Sequence, residues 1–182
     1  MSGLLPALLV KNGYNSQNMV EAVEFTLGRL LRQQEMRLSV AESCTGGLIS
    51  HLITNVPGSS DYFLGGVTAY ANEAKARLLG VHWETLEKYG AVSREVVIEM
   101  AAGVRTALAA EIGLSISGIA GPGGGTPEKP VGTTWIGLDI KERGGLAWCF
   151  QFEGDRLSVK EQAARTALQL LVENLDHQRD QT

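Results

Sequence analysis

A serine in the short stretch ESCTGG, residues 42–47, is the first residue of this chain whose type and setting suggest chemistry. Ser43 follows an apolar run and precedes a helical pattern, which places it at a strand-to-helix turn. Thr45, Gly46 and Gly47 are small, so the backbone N–H groups of the turn are open to an anion or an oxyanion. Serine and threonine also cap helices, and for this turn taken alone capping is the more frequent role.

A nucleophilic serine needs a general base, and two residue types could supply it. The three histidines are scattered and none stands beside an acidic partner, which makes a Ser-His-Asp triad the weaker option. Lys75 follows a predicted strand that contains Tyr70, and both side chains can reach Ser43 if that strand neighbours the one before Ser43. Burial and a positive helix end would lower the pKa of such a lysine, as a base requires. The alternative, a solvated helix face around Lys75, is the more common use of these residue types.

Two further segments could hold an anion. The glycine loop GPGGGTP at residues 121–127 offers many backbone N–H groups, but it lacks the P-loop and GxGxxG patterns. A long surface loop explains it equally well. Arg156 precedes the last predicted helix, so it could project toward a carboxylate or phosphate, although a lone loop arginine is usually solvated.

Alternating helical and strand patterns must position these residues. Helical spacing predicts helices at about 17–36, 45–56, 72–79, 83–89, 93–112 and from 158 onward. Strand patterns occupy 38–41, 63–71, 114–119, 133–140 and 146–152, with a hairpin connection at 141–145. This order predicts an α/β fold, a three-layer α/β/α sandwich whose mixed sheet includes an antiparallel hairpin. Ligand sites on such sheets lie at the carboxyl ends of strands, where Ser43 and Ser117 fall.

Capping residues set the predicted helix ends. Asn72 and Ser93 are predicted N-caps, and Ser158 with Glu161 fits a capping box. The predicted C-terminal stops are Gly80, Gly90 and Gly113.

Length and composition bound the class of protein. The chain has 182 residues, of which 44% are hydrophobic and 20% charged, as in a soluble globular domain. We expect a single domain at residues 17–176, an N-terminal appendage at 1–16 and a polar tail at 177–182. Glycine accounts for 22 of the 182 residues, about 12%, whereas ~7% is usual. The glycines cluster between periodic segments, as expected of tight loops.

Charge and residue counts argue against several function classes. Lys and Arg number 16 against 20 Asp and Glu, a net charge of −4 without a basic cluster, so we expect no nucleic-acid partner. No apolar run reaches the ~20 residues of a membrane helix, and residues 1–10 lack the basic flank of a signal peptide. We therefore expect no membrane partner and a cytoplasmic location. Two cysteines and three scattered histidines predict neither a disulfide scaffold nor a metal site.

Five segments in register carry a more specific signal, namely AESCTGGLIS, GGVTAYANEAKARLLGV, YGAVSREVVIEMA, SISGIAGPGGGTPEKPVGTTWIGL and GDR. Over about residues 17–175 they resemble the CinA C-terminal domain family and its stand-alone nicotinamide-nucleotide amidases. The resemblance implies that a serine and a lysine, without metal or other cofactor, hydrolyse nicotinamide mononucleotide to nicotinate mononucleotide and ammonia. It also implies a small-molecule nucleotide as partner, a homodimer and a place in pyridine-nucleotide salvage. One alternative is a non-catalytic CinA-like module that binds a nucleotide or a protein in competence or the DNA damage response. Another is a different amidase that keeps Ser43 and Lys75 but acts on another small carboxamide without the phosphate contacts.

The family motifs carry residue roles onto this chain. The serine of ESCTGG is Ser43, the implied nucleophile, and the lysine of YANEAK is Lys75, the implied base. Tyr70 is implied to assist, and Glu42 precedes the nucleophile. The implied substrate-binding residues are Cys44, Thr45, Gly46 and Gly47 of the turn, Ser117 and Gly118 of SGIAGP, and Arg156 of GDR. Backbone N–H groups of the turn are candidates for an oxyanion hole, and Arg156 or the glycine loop for the substrate phosphate.

Overall fold

Residues 21–176, the part of the chain that the computed structural model describes, form five strands and six α-helices. The strands are β1 (Leu38–Glu42), β2 (Phe63–Thr68), β3 (Ile112–Gly118), β4 (Thr133–Ile140) and β5 (Gly144–Gln151). The helices are α1 (Val23–Gln33), α2 (Leu48–Thr54), α3 (Asn72–Leu79), α4 (Trp83–Tyr89), α5 (Arg94–Ala107) and α6 (Arg156–Asp176). The appendage predicted at 1–16 and the tail predicted at 177–182 lie outside the described residues.

The five strands form one mixed sheet in the order β2-β1-β3-β4-β5. β1 runs parallel to both β2 and β3, while β3–β4 and β4–β5 are antiparallel. The predicted mixed sheet and its hairpin are therefore confirmed. Glu42, the last residue of β1, pairs with Thr68 on one side and Ile116 on the other. The carboxyl ends of three parallel strands consequently meet at one edge of the sheet.

Helices cover both faces of this sheet, which confirms the α/β/α sandwich. α1, α2 and α6 pack together on one face, and α3, α4 and α5 pack on the other. The side chains of β1 alternate between the two layers, as a strand requires. Leu38 and Val40 belong to the core under α1, α2 and α6, whereas Ala41 belongs to the core under α3, α4 and α5. All five residues of β1 are buried, so the chain leaves the sheet at Glu42 from its most enclosed strand.

Several predicted helix ends are observed. Gly80 and Gly90 end α3 and α4 with φ of 68° and 76°, values that favour glycine. Ser93 caps α5, because its side chain accepts a hydrogen bond from the Val96 N–H at 3.4 Å.

Three predicted helix ends are wrong. Asn72 is the first residue of α3 and Ala71 is the N-cap. The cap of α6 is Asp155, whose carboxylate accepts from the Ser158 N–H at 2.8 Å, so the capping box at Ser158 does not form. Gly113 lies inside β3 and α5 already ends at Ala107.

The strand predicted over 63–71 is shorter in the structure, and the reason bears on the site. The Ala69 N–H still donates to the Glu42 carbonyl at 2.8 Å, but β2 itself ends at Thr68. The carbonyls of Ala69 and Tyr70 turn away from the sheet and accept hydrogen bonds from the Lys75 side chain. The residues after β2 therefore form a lysine-binding corner.

Candidate active site

A cavity of about 190 Å³ lies at the sheet edge where the ends of β1, β2 and β3 meet. It is lined by Ser43, Cys44, Tyr70, Asn72, Lys75, Ala91, Val92, Ser117, Gly118, Ala120 and Arg156. The cavity thus contains residues that the sequence analysis assigned from four separate segments. A larger groove of about 750 Å³ between the start of α1, β5 and α6 contains none of the predicted site residues.

Ser43 and Lys75 are in direct contact in this cavity. The Nζ atom of Lys75 lies 3.1 Å from Oγ of Ser43. The same Nζ donates to the carbonyl oxygens of Ala69 and Tyr70, each at 3.0 Å. Lys75 is 1% exposed, so its amine is held among these three oxygens with almost no access to water.

This environment favours the neutral form of Lys75. Burial lowers the pKa of Lys75, and the nearby Cys44 opposes that effect to a smaller degree. Among residues 21–176, no carboxylate forms an ion pair with it. A neutral amine has two N–H bonds and one lone pair. The carbonyls of Ala69 and Tyr70 match the two N–H bonds, which leaves the lone pair to accept the Ser43 hydroxyl proton.

Glu42 anchors the turn that carries Ser43. Its carboxylate accepts hydrogen bonds from the backbone N–H groups of Gly47 (2.9 Å), Ile49 (3.1 Å) and Ser50 (2.8 Å). It also accepts from the Ser50 hydroxyl at 2.8 Å. The buried carboxylate therefore satisfies the start of α2 and does not hydrogen-bond Ser43 or Lys75. The observed contacts of Glu42 thus fix the turn and the start of α2 in place.

Two backbone N–H groups of the turn have no oxygen or nitrogen acceptor among the described residues. Gly46 N–H donates to the Ser43 carbonyl at 3.2 Å, and Gly47 N–H is taken by Glu42. The N–H groups of Cys44 and Thr45 donate to no oxygen or nitrogen of residues 21–176, and they face the weakly accepting Cys44 sulfur. Of the four predicted oxyanion donors, the structure thus leaves Cys44 and Thr45. Both glycines have positive φ, 64° and 102°, a conformation that lets the chain reverse before α2.

The Cys44 thiol lies beside Ser43 but is poorly suited to be the nucleophile. Burial raises the pKa of Cys44 to about 11. The reactive form of a cysteine is the thiolate, and with this pKa the side chain is a neutral thiol near pH 7. The hydroxyl of Ser43 is therefore the better-placed nucleophile of the turn.

Tyr70 and Arg156 form one side of the cavity. Arg156 donates from Nη2 to the Tyr70 hydroxyl at 3.1 Å and from Nη1 to the Gly121 carbonyl at 2.7 Å. The Tyr70 side chain is 62% exposed, and its hydroxyl contacts Arg156 instead of Ser43. Tyr70 is linked to Lys75 through its backbone carbonyl. Arg156, the first residue of α6, therefore ties the glycine loop to the corner after β2.

Ser117 and Gly118 line the cavity from the end of β3. The Ser117 hydroxyl is buried and donates to the Ala91 carbonyl at 2.8 Å, which joins β3 to the segment before α5. Lys129 holds the far end of the glycine loop by donating to the carbonyls of Tyr89 and Val92, both at 2.8 Å.

Four cavity residues were not assigned to the site from the sequence, namely Asn72, Ala91, Val92 and Ala120. Three of them are small apolar side chains without a chemical signature. Asn72 lies in the same YANEAK stretch as Lys75, and this proximity in the sequence could have indicated that Asn72 lines the site.

Within residues 21–176, no group of three or more His, Cys, Asp or Glu side chains is placed to hold a metal ion. The same residues include no helix that is both long enough and apolar enough to cross a membrane.

Comparison with known families gives a match over nearly all of the described residues. A family model described as the CinA C-terminal domain matches residues 20–175. A CinA-like protein of Thermotoga maritima is 50% identical over 159 residues, which are 87% of this chain and 38% of that protein. The chain thus spans little more than a third of the length of such relatives.

A shorter relative and two solved structures match over most of both chains. The nicotinamide-nucleotide amidohydrolase PncC of Shigella flexneri is 48% identical over 145 residues, covering 80% of this chain and 88% of that one. A crystal structure of a competence-damaged protein (CinA) superfamily member from Klebsiella pneumoniae has a TM-score of 0.82 and 35% identity, covering 85% of this chain and 96% of the other. The competence/damage inducible protein CihA of Agrobacterium tumefaciens has a TM-score of 0.80 and 35% identity, covering 88% and 99%.

Proposed function

This chain belongs to the CinA C-terminal domain family, and from that premise we propose that it is an amidohydrolase that converts nicotinamide mononucleotide to nicotinate mononucleotide and ammonia. The observation that carries the proposal is the buried Lys75 amine, 3.1 Å from the Ser43 hydroxyl and oriented by two carbonyls. The similarity to the Shigella flexneri amidohydrolase supports the choice of substrate.

The first half of the proposed reaction forms an acyl-enzyme. Neutral Lys75 takes the proton of the Ser43 hydroxyl while Oγ bonds to the carboxamide carbon, and the carbonyl electron pair moves to oxygen. The N–H groups of Cys44 and Thr45 stabilise this oxyanion, each donor contributing about 2.7 to 4 kcal/mol. The oxyanion then collapses, the carbon–nitrogen bond breaks, and the leaving nitrogen takes the proton from Lys75. Ammonia departs and a nicotinoyl ester of Ser43 remains.

The second half hydrolyses that ester through the same groups. Lys75, neutral again, takes a proton from water as the water oxygen bonds to the ester carbon. The second oxyanion occupies the same N–H groups. When it collapses, Oγ of Ser43 leaves and recovers its proton from Lys75, so the enzyme returns to its starting state with the acid as product.

The cavity fits the reacting end of this substrate. A volume of about 190 Å³ is smaller than the ~300 to 1,000 Å³ of complete small-molecule sites. In this proposal the pyridine carboxamide enters the cavity while the ribose and phosphate lie outside it. Tyr70 and Arg156 then form the wall at which the substrate leaves the cavity.

We also propose that the protein is cytoplasmic and forms a homodimer. Cys44 and Cys149 are both free thiols, which supports a reducing compartment, the cytoplasm. The family resemblance supports a homodimer, and within residues 21–176 the outer edge of β5 has no strand partner that would block one. Light scattering at micromolar concentration tests the dimer directly.

Ammonia release on three substrates tests the function. The protein is incubated with nicotinamide mononucleotide, nicotinamide riboside and nicotinamide, with the Ser43→Ala variant as control. We expect release from the mononucleotide at the highest kcat/KM and none from the control. An absence of release from all three substrates would contradict the proposal and favour a non-catalytic module. Activity lost with a chelator and restored by zinc would contradict the metal-free mechanism.

A further inference from the structure

A second cavity, of about 560 Å³, adjoins the turn that carries Ser43. It is lined by Thr45, Gly46, Gly47, Leu48, His51, Leu52, Leu157, Lys160 and Glu161. Ser43 and Cys44 line the catalytic cavity, and the next residues of the turn, 45–47, line the second cavity. The two cavities therefore lie next to each other along this turn.

Helix α6 forms the other shared wall. Arg156 lines the catalytic cavity and Lys160 lines the second one. These residues are four apart in a helix, so their side chains emerge one above the other on the same face. The two cavities are therefore bordered by side chains one helical turn apart on α6.

Lys160 is a cation without an anion. Its side chain is only partly exposed, yet among residues 21–176 it has neither a hydrogen bond nor an ion pair. Arg156, by contrast, already donates to Gly121 and Tyr70, and Glu161 is paired with Arg165. The charge available to a ligand at this end of α6 is therefore that of Lys160.

The turn lets an anion come close to this amine. Nζ of Lys160 lies 3.7 Å from the position that a Cβ atom would take on Gly46, so a side chain there would fill the approach. Thr45 lines the same cavity, and its buried hydroxyl has no hydrogen-bond partner among the described residues. Buried hydroxyls nearly always have a partner, which makes the Thr45 hydroxyl a candidate donor to an anion in this cavity.

The turn that separates the two cavities is short. The Gly46 N–H bond to the Ser43 carbonyl closes a four-residue turn, whose end Cα atoms lie within about 7 Å. Lys160 is thus one short turn away from the nucleophile. The exposed Leu157 side chain, 74% accessible, offers an apolar surface on the same path for a sugar or ring.

We propose that Lys160 binds the phosphate of the nucleotide substrate in this second cavity while the carboxamide occupies the cavity of Ser43. This inference rests on the proposed function and adds a specificity-determining residue to it. Lys160 then selects a phosphorylated substrate over its nucleoside.

Steady-state kinetics on two substrates test this assignment. Lys160→Ala is compared with Lys141→Ala, a matched loss of one exposed lysine on the β4–β5 turn. We expect kcat/KM on nicotinamide mononucleotide to fall roughly tenfold to hundredfold in Lys160→Ala, mainly through KM. On nicotinamide riboside it should change less than about twofold, and Lys141→Ala should match the parent on both. Equal losses on the two substrates, or no loss on the mononucleotide, would overturn the assignment.

Binding without turnover separates this inference from the proposed function. Nicotinamide mononucleotide is titrated calorimetrically into Ser43→Ala and into Ser43→Ala with Lys160→Ala. The first variant should bind it more tightly than the riboside, and the second should lose that difference. If the parent protein releases no ammonia but this pattern holds, the proposed function fails and the Lys160 site stands. If Ser43→Ala does not distinguish the two ligands, the Lys160 site is wrong.

Discussion

The two cavities beside the Ser43 turn place a lysine in opposite environments. Lys75 is 1% exposed, and its amine contacts two carbonyls and the Ser43 hydroxyl. Lys160 is partly exposed and has no partner among residues 21–176. Burial lowers the pKa of Lys75, which favours a neutral amine. In the two proposals the same residue type therefore acts as a base in one cavity and as a phosphate ligand in the other.

The proposed roles of the two lysines separate chemistry from recognition. A base is useful only when deprotonated, and a phosphate ligand only when charged. In the two proposals one short turn separates these roles, because Ser43 and Cys44 line the catalytic cavity while Thr45, Gly46 and Gly47 line the second cavity.

The largest expected effect is at the nucleophile. Ser43→Ala should lower kcat by a factor on the order of 10⁴ to 10⁶, since the covalent route is lost. Mononucleotide affinity should stay within about threefold, because the second cavity is untouched. Cys149→Ala is the control and should keep kcat within about threefold, because this exposed thiol on β5 lies outside the catalytic cavity. A Ser43→Ala variant that keeps most of the kcat of the parent would contradict this account.

The next effect is on the turn that both cavities share. Glu42→Gln replaces an acceptor of four hydrogen bonds by an amide whose NH₂ group faces donors, so it should lower the free energy of unfolding by about 2 to 4 kcal/mol. Urea denaturation measures this. Glu161→Gln is the control, because its i,i+4 pair with Arg165 is exposed to solvent and should cost less than about 1 kcal/mol. Equal costs for the two variants would show that the buried carboxylate does not hold the turn.

The smallest effect concerns Arg156, which stands between the cavities. Its bonds to Gly121 and Tyr70 indicate a role in holding the cavity wall, so Arg156→Ala should lower kcat/KM about tenfold on both the mononucleotide and the riboside. This pattern differs from that of Lys160→Ala, whose loss depends on the phosphate. A loss confined to the mononucleotide would instead make Arg156 the phosphate ligand.

Much of this architecture could be predicted because hydrophobic period and turn residues report local structure. The approach of Lys75 to Ser43 required one condition, that β2 lie beside β1, and the strand order satisfies it. The helix caps were harder. Asp155 and Ser158 are both good caps three residues apart, and the pattern selected the later one although the helix begins at Arg156.

Other features depend on contacts that no local pattern reports. Glu42 ends a buried strand, and nothing in its neighbourhood showed that its carboxylate would fold back onto α2. Tyr70 was expected to reach Ser43 with its hydroxyl, but it contributes a carbonyl because β2 ends early. Lys160 looks like an ordinary surface lysine in the sequence, and its setting depends on Gly46, which is distant in the chain.

The pH dependence of kcat/KM in the parent, Lys75→Ala and Lys75→Arg enzymes tests the central claim, that neutral Lys75 is the base for Ser43. The active form of the free enzyme carries an unprotonated amine, so kcat/KM of the parent should rise with pH through a pKa below the ordinary lysine value of 10.5. Arginine keeps its charge but does not release its proton, and alanine has no amine. Both variants should therefore have a kcat/KM roughly 10²- to 10⁴-fold below that of the parent, and it should no longer rise with pH. A Lys75→Arg enzyme that retains much of the rate with the same rising limb would contradict the claim.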